Sequence, residues 1–188
     1  MAYTSFDRFL AWLRFRAARP HVRPHARVCD IGCGLDAQFL RYLGANLRWG
    51  VGVDDQLAPA TAKAVAIVQA DITRGLPIRA GAFDHAVMLA VLEHLREPEQ
   101  VLREAYRILA PGGSLIMTWP SGAVDPLLNV LHRVGMVSDE MESDEHSQRI
   151  PVQELTGLLS AIGFEKFIHR TFECGLNNLL VAHTPGKT

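Results

Sequence analysis

Val28-Cys29-Asp30-Ile31-Gly32-Cys33-Gly34 sets a carboxylate within a short apolar run and two glycines directly after it. The run reads as a buried strand, and the glycines as a turn that lets a ligand approach the backbone. A strand followed by a glycine turn is a general signature of a nucleotide cofactor. Asp30 narrows it. Facing the ligand, a carboxylate is poorly placed beside a pyrophosphate anion and well placed near an ammonium or sulfonium group. A cationic cofactor is therefore expected ahead of a dinucleotide.

Outward from this turn, strands and helices alternate. Gln38 to Leu43 belong to the following helix, and Trp49 to Val53 form a second strand ending at Asp54 and Asp55. Val65 to Ala70 give a third strand ending at Asp71, and Asp84 to Val91 a fourth ending near Glu93 and His94. The interval between Asp54 and Asp71 is short for a full crossover helix, so only a stunted helix around Pro59 to Ala64 is expected. Pro98 suits the first turn of the next helix. Its Val101, Leu102, Ala105, Ile108 and Leu109 line one face, and Pro111-Gly112-Gly113 stops it. A fifth strand covers Ser114 to Trp119, and residues 121–150 read as an irregular segment with a short helix at Leu127 to Val134. Pro151 opens a helix through Val152, Leu155, Leu158, Leu159 and Ile162, with Gly163 as its stop. Strands at about 165–173 and 177–183 close the chain as a hairpin around Gly175. Upstream, Phe6, Phe9, Leu10, Leu13 and Ala17 recur at helical spacing, which predicts an amphipathic helix over about 4–18, ended by Pro20.

This order predicts an α/β fold: a Rossmann-like, doubly wound, mostly parallel seven-stranded sheet with helices on both faces and a C-terminal antiparallel hairpin. One domain over residues 1–188 is expected, with an N-terminal helix or lid at 1–20, a cofactor-binding core at 28–119 and an acceptor-site insertion at 121–150. In such sheets ligands sit beyond the carboxyl ends of the strands. Gly32, Asp54, Asp71 and His94 all fall at those ends.

A formal net charge of -1 supplies no global field for nucleic acid, so none is expected as a partner. The charges are unevenly spread: Arg8, Arg14, Arg16, Arg19, Arg23 and Arg27 face only Asp7 in the first 27 residues, while Asp139, Glu140, Glu142, Asp144 and Glu145 crowd a later segment. Each run reads first as a solvated face, with contact to an anionic substrate or a membrane as the alternative. Cys29, Cys33 and Cys174 form no even disulfide framework, and the first two read as small packing residues. No metal-ligand spacing appears, so no metal is expected. The absence of a signal-like apolar core and of any 18-residue apolar run predicts no transmembrane segment and a cytoplasmic location.

Gly32-Cys33-Gly34-Leu35-Asp36-Ala37 also satisfies the dinucleotide pattern, with Asp54 twenty residues after Gly34. An NAD(P)-dependent oxidoreductase is thus an alternative, although no catalytic Tyr/Lys arrangement accompanies it. The full set of motifs resembles the class I S-adenosylmethionine-dependent methyltransferases of small-molecule type (methyltransferase type 11-like), closely over 28–119 and more loosely to the end. That resemblance implies that Gly32, Cys33 and Gly34 admit the methionine part of the cofactor while Asp30 lies near its amino group. Asp54, in Gly52-Val53-Asp54, would accept from both ribose hydroxyls, with Asp55 as its nearest competitor. Asp71 would accept from the adenine amino group, and the backbone of Ile72 would reach the ring. Ala90-Val91-Leu92-Glu93-His94-Leu95 resembles the family's post-strand signature and places Ala90 at the cofactor. Arg107-Ile108-Leu109-Ala110-Pro111-Gly112-Gly113 is similar to its helix-to-strand turn.

The activity implied is methyl transfer from S-adenosyl-L-methionine to a small-molecule acceptor, on oxygen or nitrogen ahead of carbon. The N-terminal arginines keep an anionic molecule or a lipid or sugar conjugate in view. A non-catalytic S-adenosylmethionine-binding protein or scaffold is the alternative from another class. Much of the rate of such an in-line displacement can come from alignment, up to about 7–11 kcal/mol, which leaves catalytic groups hard to read. His94 lies where the nucleophile would arrive and is a candidate general base, with holding its loop as the competing role. His146, within Ser143-Asp144-Glu145-His146, is a second catalytic candidate, and a solvated surface histidine is its plain reading. For Asp54 and Asp71 the plain reading is a helix cap. Trp119 is expected to border the acceptor pocket and Trp49 to lie in the core.

Overall fold

The computed structural model describes residues 5–56, 60–62, 64–122 and 150–186. Ala26 to Ile31 is buried along nearly its whole length, with Ala26, Val28, Cys29 and Ile31 apolar, as a central strand covered on both faces requires. This strand, β1 (Ala26–Ile31), has β2 (Leu47–Asp54) on one side and β5 (Phe83–Leu89) on the other, both parallel to it. β4 (Val65–Gln69) adds parallel to β2, and β6 (Leu109–Pro120) parallel to β5. β7 (Glu165–Phe172) and β8 (Asn177–His183) form the expected hairpin, with β8 inserted antiparallel beside β6. With β3 (Ala60–Ala62) at one edge, the strand order is β3-β4-β2-β1-β5-β6-β8-β7.

One element departs from expectation. The stunted helix around Pro59 to Ala64 is not formed; Ala60–Ala62 is instead a short strand, β3, antiparallel to β4 in the register Ala60↔Ile67, Thr61↔Ala66 and Ala62↔Val65. The seven expected strands are present and β3 makes eight. An isolated helical turn of this length leaves most of its backbone groups unpaired, whereas Ala60–Ala62 pair with the open edge of β4. The helix expected at Leu127 to Val134, together with most of 121–150, lies outside the described residues.

Alternation along the strands divides the core. Cys29, Ile31, Met88, Met117 and Leu180 point to one face and are covered by α3 (Pro98–Ile108) and α4 (Val152–Ile162). Val28, Val87, Ile116 and Val181 point to the other and meet α1 (Ser5–Ala18) and α2 (Gln38–Leu43) through Ala18, Phe39 and Leu40. α3 starts with Pro98 in its first turn and buries Val101, Leu102, Ala105 and Ile108, as the spacing predicts. Gly163, at φ 120°, ends α4 in a backbone region that favours glycine.

The amino ends of the central strands are closed by polar contacts. Arg27 grips Asp84 through Nη2 to Oδ1 at 2.7 Å and Nε to Oδ2 at 3.1 Å, while its backbone N–H donates to Oδ2 at 2.8 Å. The guanidinium hydrogen bond holds Asp84 down to about 2. Beside it His85, Ser114 and His183 stand in register on β5, β6 and β8. The backbone N–H of Arg23 donates to His85 Nε2 at 3.1 Å, so Nδ1 carries the proton and donates to Ser114 Oγ at 2.7 Å. Burial, aided by the Arg23 charge, lowers His85 to about 4.

The folded chain therefore keeps His85 neutral down to about pH 4, while the unfolded chain protonates it near 6.5. Its contribution to stability is intact above about pH 6.5 and is lost as pH falls toward 4, on the order of 3 kcal/mol. Urea unfolding of the wild type and of His85→Gln at about pH 7 and about pH 4.5 isolates this share. The variant is expected to show the smaller pH difference; an equal difference would contradict the assignment.

Candidate active site

The carboxyl ends of β4, β2, β1 and β5 lie side by side, and the chain emerging from each carries one of the sequence motifs. Between β1 and β5 the strand order reverses, the place where open α/β sheets form a crevice. The glycine turn after β1 is tied to the end of β2. Val53 O accepts from Gly32 N–H at 2.8 Å and from Cys33 N–H at 3.3 Å, and Asp54 Oδ2 accepts from Gly34 N–H at 2.9 Å. Asp54 Oδ1 accepts from Gln56 N–H at 3.0 Å. An ionised carboxylate offers about four acceptor positions, so Asp54 has capacity left for ligand hydroxyls while its orientation is already set.

Gly32 is needed for two reasons. Its φ is +69°, and a Cβ there would stand 2.7 Å from Val91 Cγ2, so Val91 from the β5 side closes over the turn. Gly52 is needed on the neighbouring strand, where a Cβ would meet Cys33 Sγ at 2.7 Å. Cys33 thus serves as packing between turn and strand, and burial pushes its thiol up and keeps it protonated. The turn continues through Asp36 and Ala37, both at positive φ, before α2 begins.

Asp30 is 2% exposed. Burial, and then the Asp54 charge, raise its carboxyl to about 8. Two acidic groups share one end of the sheet, and the buried one cannot readily ionise until positive charge arrives. A cation placed beside Asp30 would favour its ionised form. The residues present thus fit S-adenosylmethionine better than a dinucleotide: a buried acid for a positive group, a glycine turn without side chains in the way, and an oriented carboxylate with acceptor capacity.

The remaining sequence candidates are placed as follows. Asp55 is exposed, and its carbonyl accepts from Gln69 Nε2 at 3.0 Å. Asp71 caps the 3-10 turn Ile72–Arg74: Oδ1 accepts from Thr73 N–H at 2.9 Å and Thr73 Oγ1 at 2.6 Å, and Oδ2 pairs with Arg74 Nε at 3.1 Å. Ile72 is half-buried against the core. Ala90 follows β5 at φ 55° and donates to Thr118 O at 3.0 Å, a left-handed conformation uncommon without glycine. His94 ends the turn Leu92–His94, exposed, its N–H donating to Val91 O at 3.0 Å. His146 lies outside the described residues. Trp119 is 2% exposed, with its ring buried on the face covered by α3 and α4, because alternation along β6 turns it there. Trp49 is half-buried and tilts against Phe83 at 4.8 Å.

Some features of the site do not follow from the motifs alone. Val91 and Gly52 lie within quoted motifs, but that they shape the turn shows only through contacts between strands. Glu93 is 5% exposed beside the exposed His94, and the three-residue turn after β5 gives both orientations. A cleft of about 580 Å³ lies between α1 and the β7–β8 turn, where Leu10, Leu13, Phe172 and Leu176 meet Arg16 and Glu173. Because Pro120 pairs with Asn177, this cleft is at the carboxyl end of β6. A second cleft, of about 540 Å³, lies near Tyr106, Pro111 and Pro185, and neither cleft is lined by the glycine turn.

Comparison with known proteins gives the same direction. A family model described as a methyltransferase domain matches residues 3–167. A ubiquinone/menaquinone biosynthesis C-methyltransferase of Vibrio vulnificus is 29% identical over 182 residues, covering 82% of this chain and 70% of that protein. The protein of the same name from Acidiphilium cryptum is 28% identical, covering 88% and 76%. Among solved structures, a SAM-dependent methyltransferase of Thermotoga maritima, titled a possible histamine N-methyltransferase, aligns with TM-score 0.69 at 19% identity, covering 94% of this chain and 89% of its own. The [4+2]-cyclase SpnF aligns equally well, at TM-score 0.69 and 19% identity, covering 100% and 85%. At these identities the solved structures speak for the fold alone.

Two substitutions probe the geometry. Gly32→Ala is expected to lower stability by about 1–3 kcal/mol through strain and the Val91 contact, measured by urea unfolding; an unchanged midpoint would contradict the close approach. Asp54→Asn removes a charge and is expected to lower the Asp30 titration from about 8, read by carboxyl-carbon NMR. A titration that stays in place would separate the two groups.

Proposed function

The chain belongs to the methyltransferase-domain family and is an S-adenosylmethionine-dependent methyltransferase, and from that premise we propose that it methylates a small molecule on oxygen or nitrogen. The observation that carries the cofactor half of this reading is the buried Asp30 carboxyl beside Asp54. In the reading, Asp30 faces the positive amino end of the cofactor, and Gly32, Cys33 and Gly34 leave room for its methionine part. Asp54 uses its free acceptor positions for the ribose hydroxyls, with Asp55 next to it. Asp71 and the backbone of Ile72 take the adenine edge, and Ala90 borders the site from β5.

When bound, S-adenosylmethionine supplies an electrophilic methyl group on a sulfonium centre. The chain's task is to align the acceptor with it and to manage one proton. Alignment supplies much of the rate in such reactions. His94, on the turn after β5, is the proposed base for an acceptor that must lose a proton, and His146 is the second candidate. The cleft beneath α1 supports a small-molecule acceptor, since about 580 Å³ falls in the range of small-molecule sites and its lining is mostly apolar with one Arg and one Glu. A carbon acceptor on an electron-rich ring is the second reading, favoured by relatives named C-methyltransferases.

Incubation with methyl-labelled S-adenosylmethionine and a panel of phenols, amines and activated rings tests the choice. Labelled ether or amine is expected; label on ring carbon alone selects the second reading, and cofactor binding without transfer to any acceptor favours a scaffold. Asp54→Ala is expected to weaken cofactor binding at least about tenfold, with loss of paired hydroxyl hydrogen bonds. His94→Gln is expected to lower kcat by about 10²-fold or more for hydroxyl acceptors, and an unchanged kcat would remove His94 as the base.

A further inference from the structure

α1 carries an outward sector that the acceptor reading touches only at its edge, where Arg16 also borders the cleft. At 100° per residue, Arg8, Trp12, Arg16 and Phe9 fall within an arc of about 100°. Phe9 is 51% and Trp12 40% exposed, and both arginines are exposed. Arg19, in the turn that follows, is exposed too. No acidic residue occurs between Asp7 and Asp30. The helix is anchored at the flank of this sector: Ala18 is fully buried, and Phe15, next to Arg8 around the helix, lies 5.4 Å from Phe39 and 5.6 Å from Tyr42.

Single exposed apolar side chains are ordinary. Here two large rings stack at 6.0 Å and 25°, and the Arg16 guanidinium lies 4.8 Å from the Trp12 centroid. The combination is aromatic and cationic on one ridge of a rigidly attached helix, which matches an interface with one apolar and one anionic layer. We propose that α1 docks the protein on an anionic lipid surface, with Phe9 and Trp12 at the headgroup–acyl boundary and Arg8, Arg16 and Arg19 against lipid phosphates.

Charge and shape favour a bilayer over other partners. The local excess of cations stands out against a whole-chain net charge of -1, so the attraction is directional. A stable protein partner needs about 800 Å² from each side, and two rings on a convex ridge suit a fluid plane better. Bases of a single strand would need an open ring face, but Phe9 and Arg16 both pack on Trp12. Docking would place the cleft lined by Leu10, Leu13 and Phe172 beside the membrane, within reach of a lipid-dissolved acceptor. That last consequence rests on the proposed acceptor site; the docking does not.

The test uses the whole chain with vesicles of phosphatidylcholine alone, and of phosphatidylcholine with one third phosphatidylglycerol. Co-sedimentation is expected with the anionic vesicles only and is expected to fall at least about tenfold at high salt. Trp12 fluorescence is expected to shift to the blue on binding, because Trp49 and Trp119 already sit half-buried and buried. Trp12→Phe should remove the shift and keep the binding. Phe9→Ser with Trp12→Ser should cut binding at least about tenfold with circular dichroism unchanged. The proposal is overturned by no vesicle binding, by equal binding to both vesicle types, or by binding insensitive to the double substitution. It is also overturned if the same face instead drives self-association or RNA binding in lipid-free solution. None of these outcomes depends on methyl transfer, so failure of the acceptor reading is seen separately.

Discussion

The site depends on one electrostatic constraint: burial of the Asp30 carboxyl, aided by the charge of a second acid, Asp54, raises it to about 8. An isolated acid in that position is costly to ionise, and a like charge makes it costlier. The arrangement persists because the backbone enforces it. Val53 and Asp54 collect the N–H groups of Gly32, Cys33 and Gly34, so the end of β2 dictates the shape of the turn after β1. Val91 and Cys33 then fill the space that side chains at Gly32 and Gly52 would need. In the proposed reading, a positive ligand group resolves this electrostatic conflict and favours a cationic cofactor.

The two ends of the sheet treat charge oppositely. At the amino end Arg27 neutralises Asp84 with two side-chain hydrogen bonds, and His85 is held neutral between Arg23 and Ser114. Nothing there calls for a ligand. At the carboxyl end the acidity of Asp30 is left for a ligand to answer. α1 and the chain after it connect the two ends on the outer side: apolar residues of α1 line the cleft at the carboxyl end, and at the amino end the Arg23 N–H donates to His85 Nε2 at 3.1 Å.

Much of this was legible in the sequence because it is local. The glycine turn, the acids ending β2 and β4, the Pro98 start of α3 and the Gly175 hairpin each depend on residues within a few positions of one another. The strand at Ala60–Ala62 does not follow from local propensity, because its pairing with the edge of β4 depends on a neighbour. Trp119 was placed at a pocket by its position along β6, but which face a strand residue takes is fixed by parity with the whole sheet. Asp71 proved to be a cap as well as a strand-end acid. The acceptor half was least legible, since the cleft joins residues 10–17 to 172–176 through folding alone. Shared fold does not supply the missing chemistry, because SpnF, a [4+2]-cyclase by name, aligns as well as a methyltransferase.

The central claim is that a positive cofactor group discharges the conflict between Asp30 and Asp54. Calorimetric titration of S-adenosylmethionine near neutral pH, in two buffers of different ionisation enthalpy, measures it directly. Binding is expected to release up to one proton from the wild type and markedly less from Asp30→Asn, with affinity rising as pH climbs toward 8 and levelling above it. Proton release that is absent, or that survives intact in Asp30→Asn, would contradict the account.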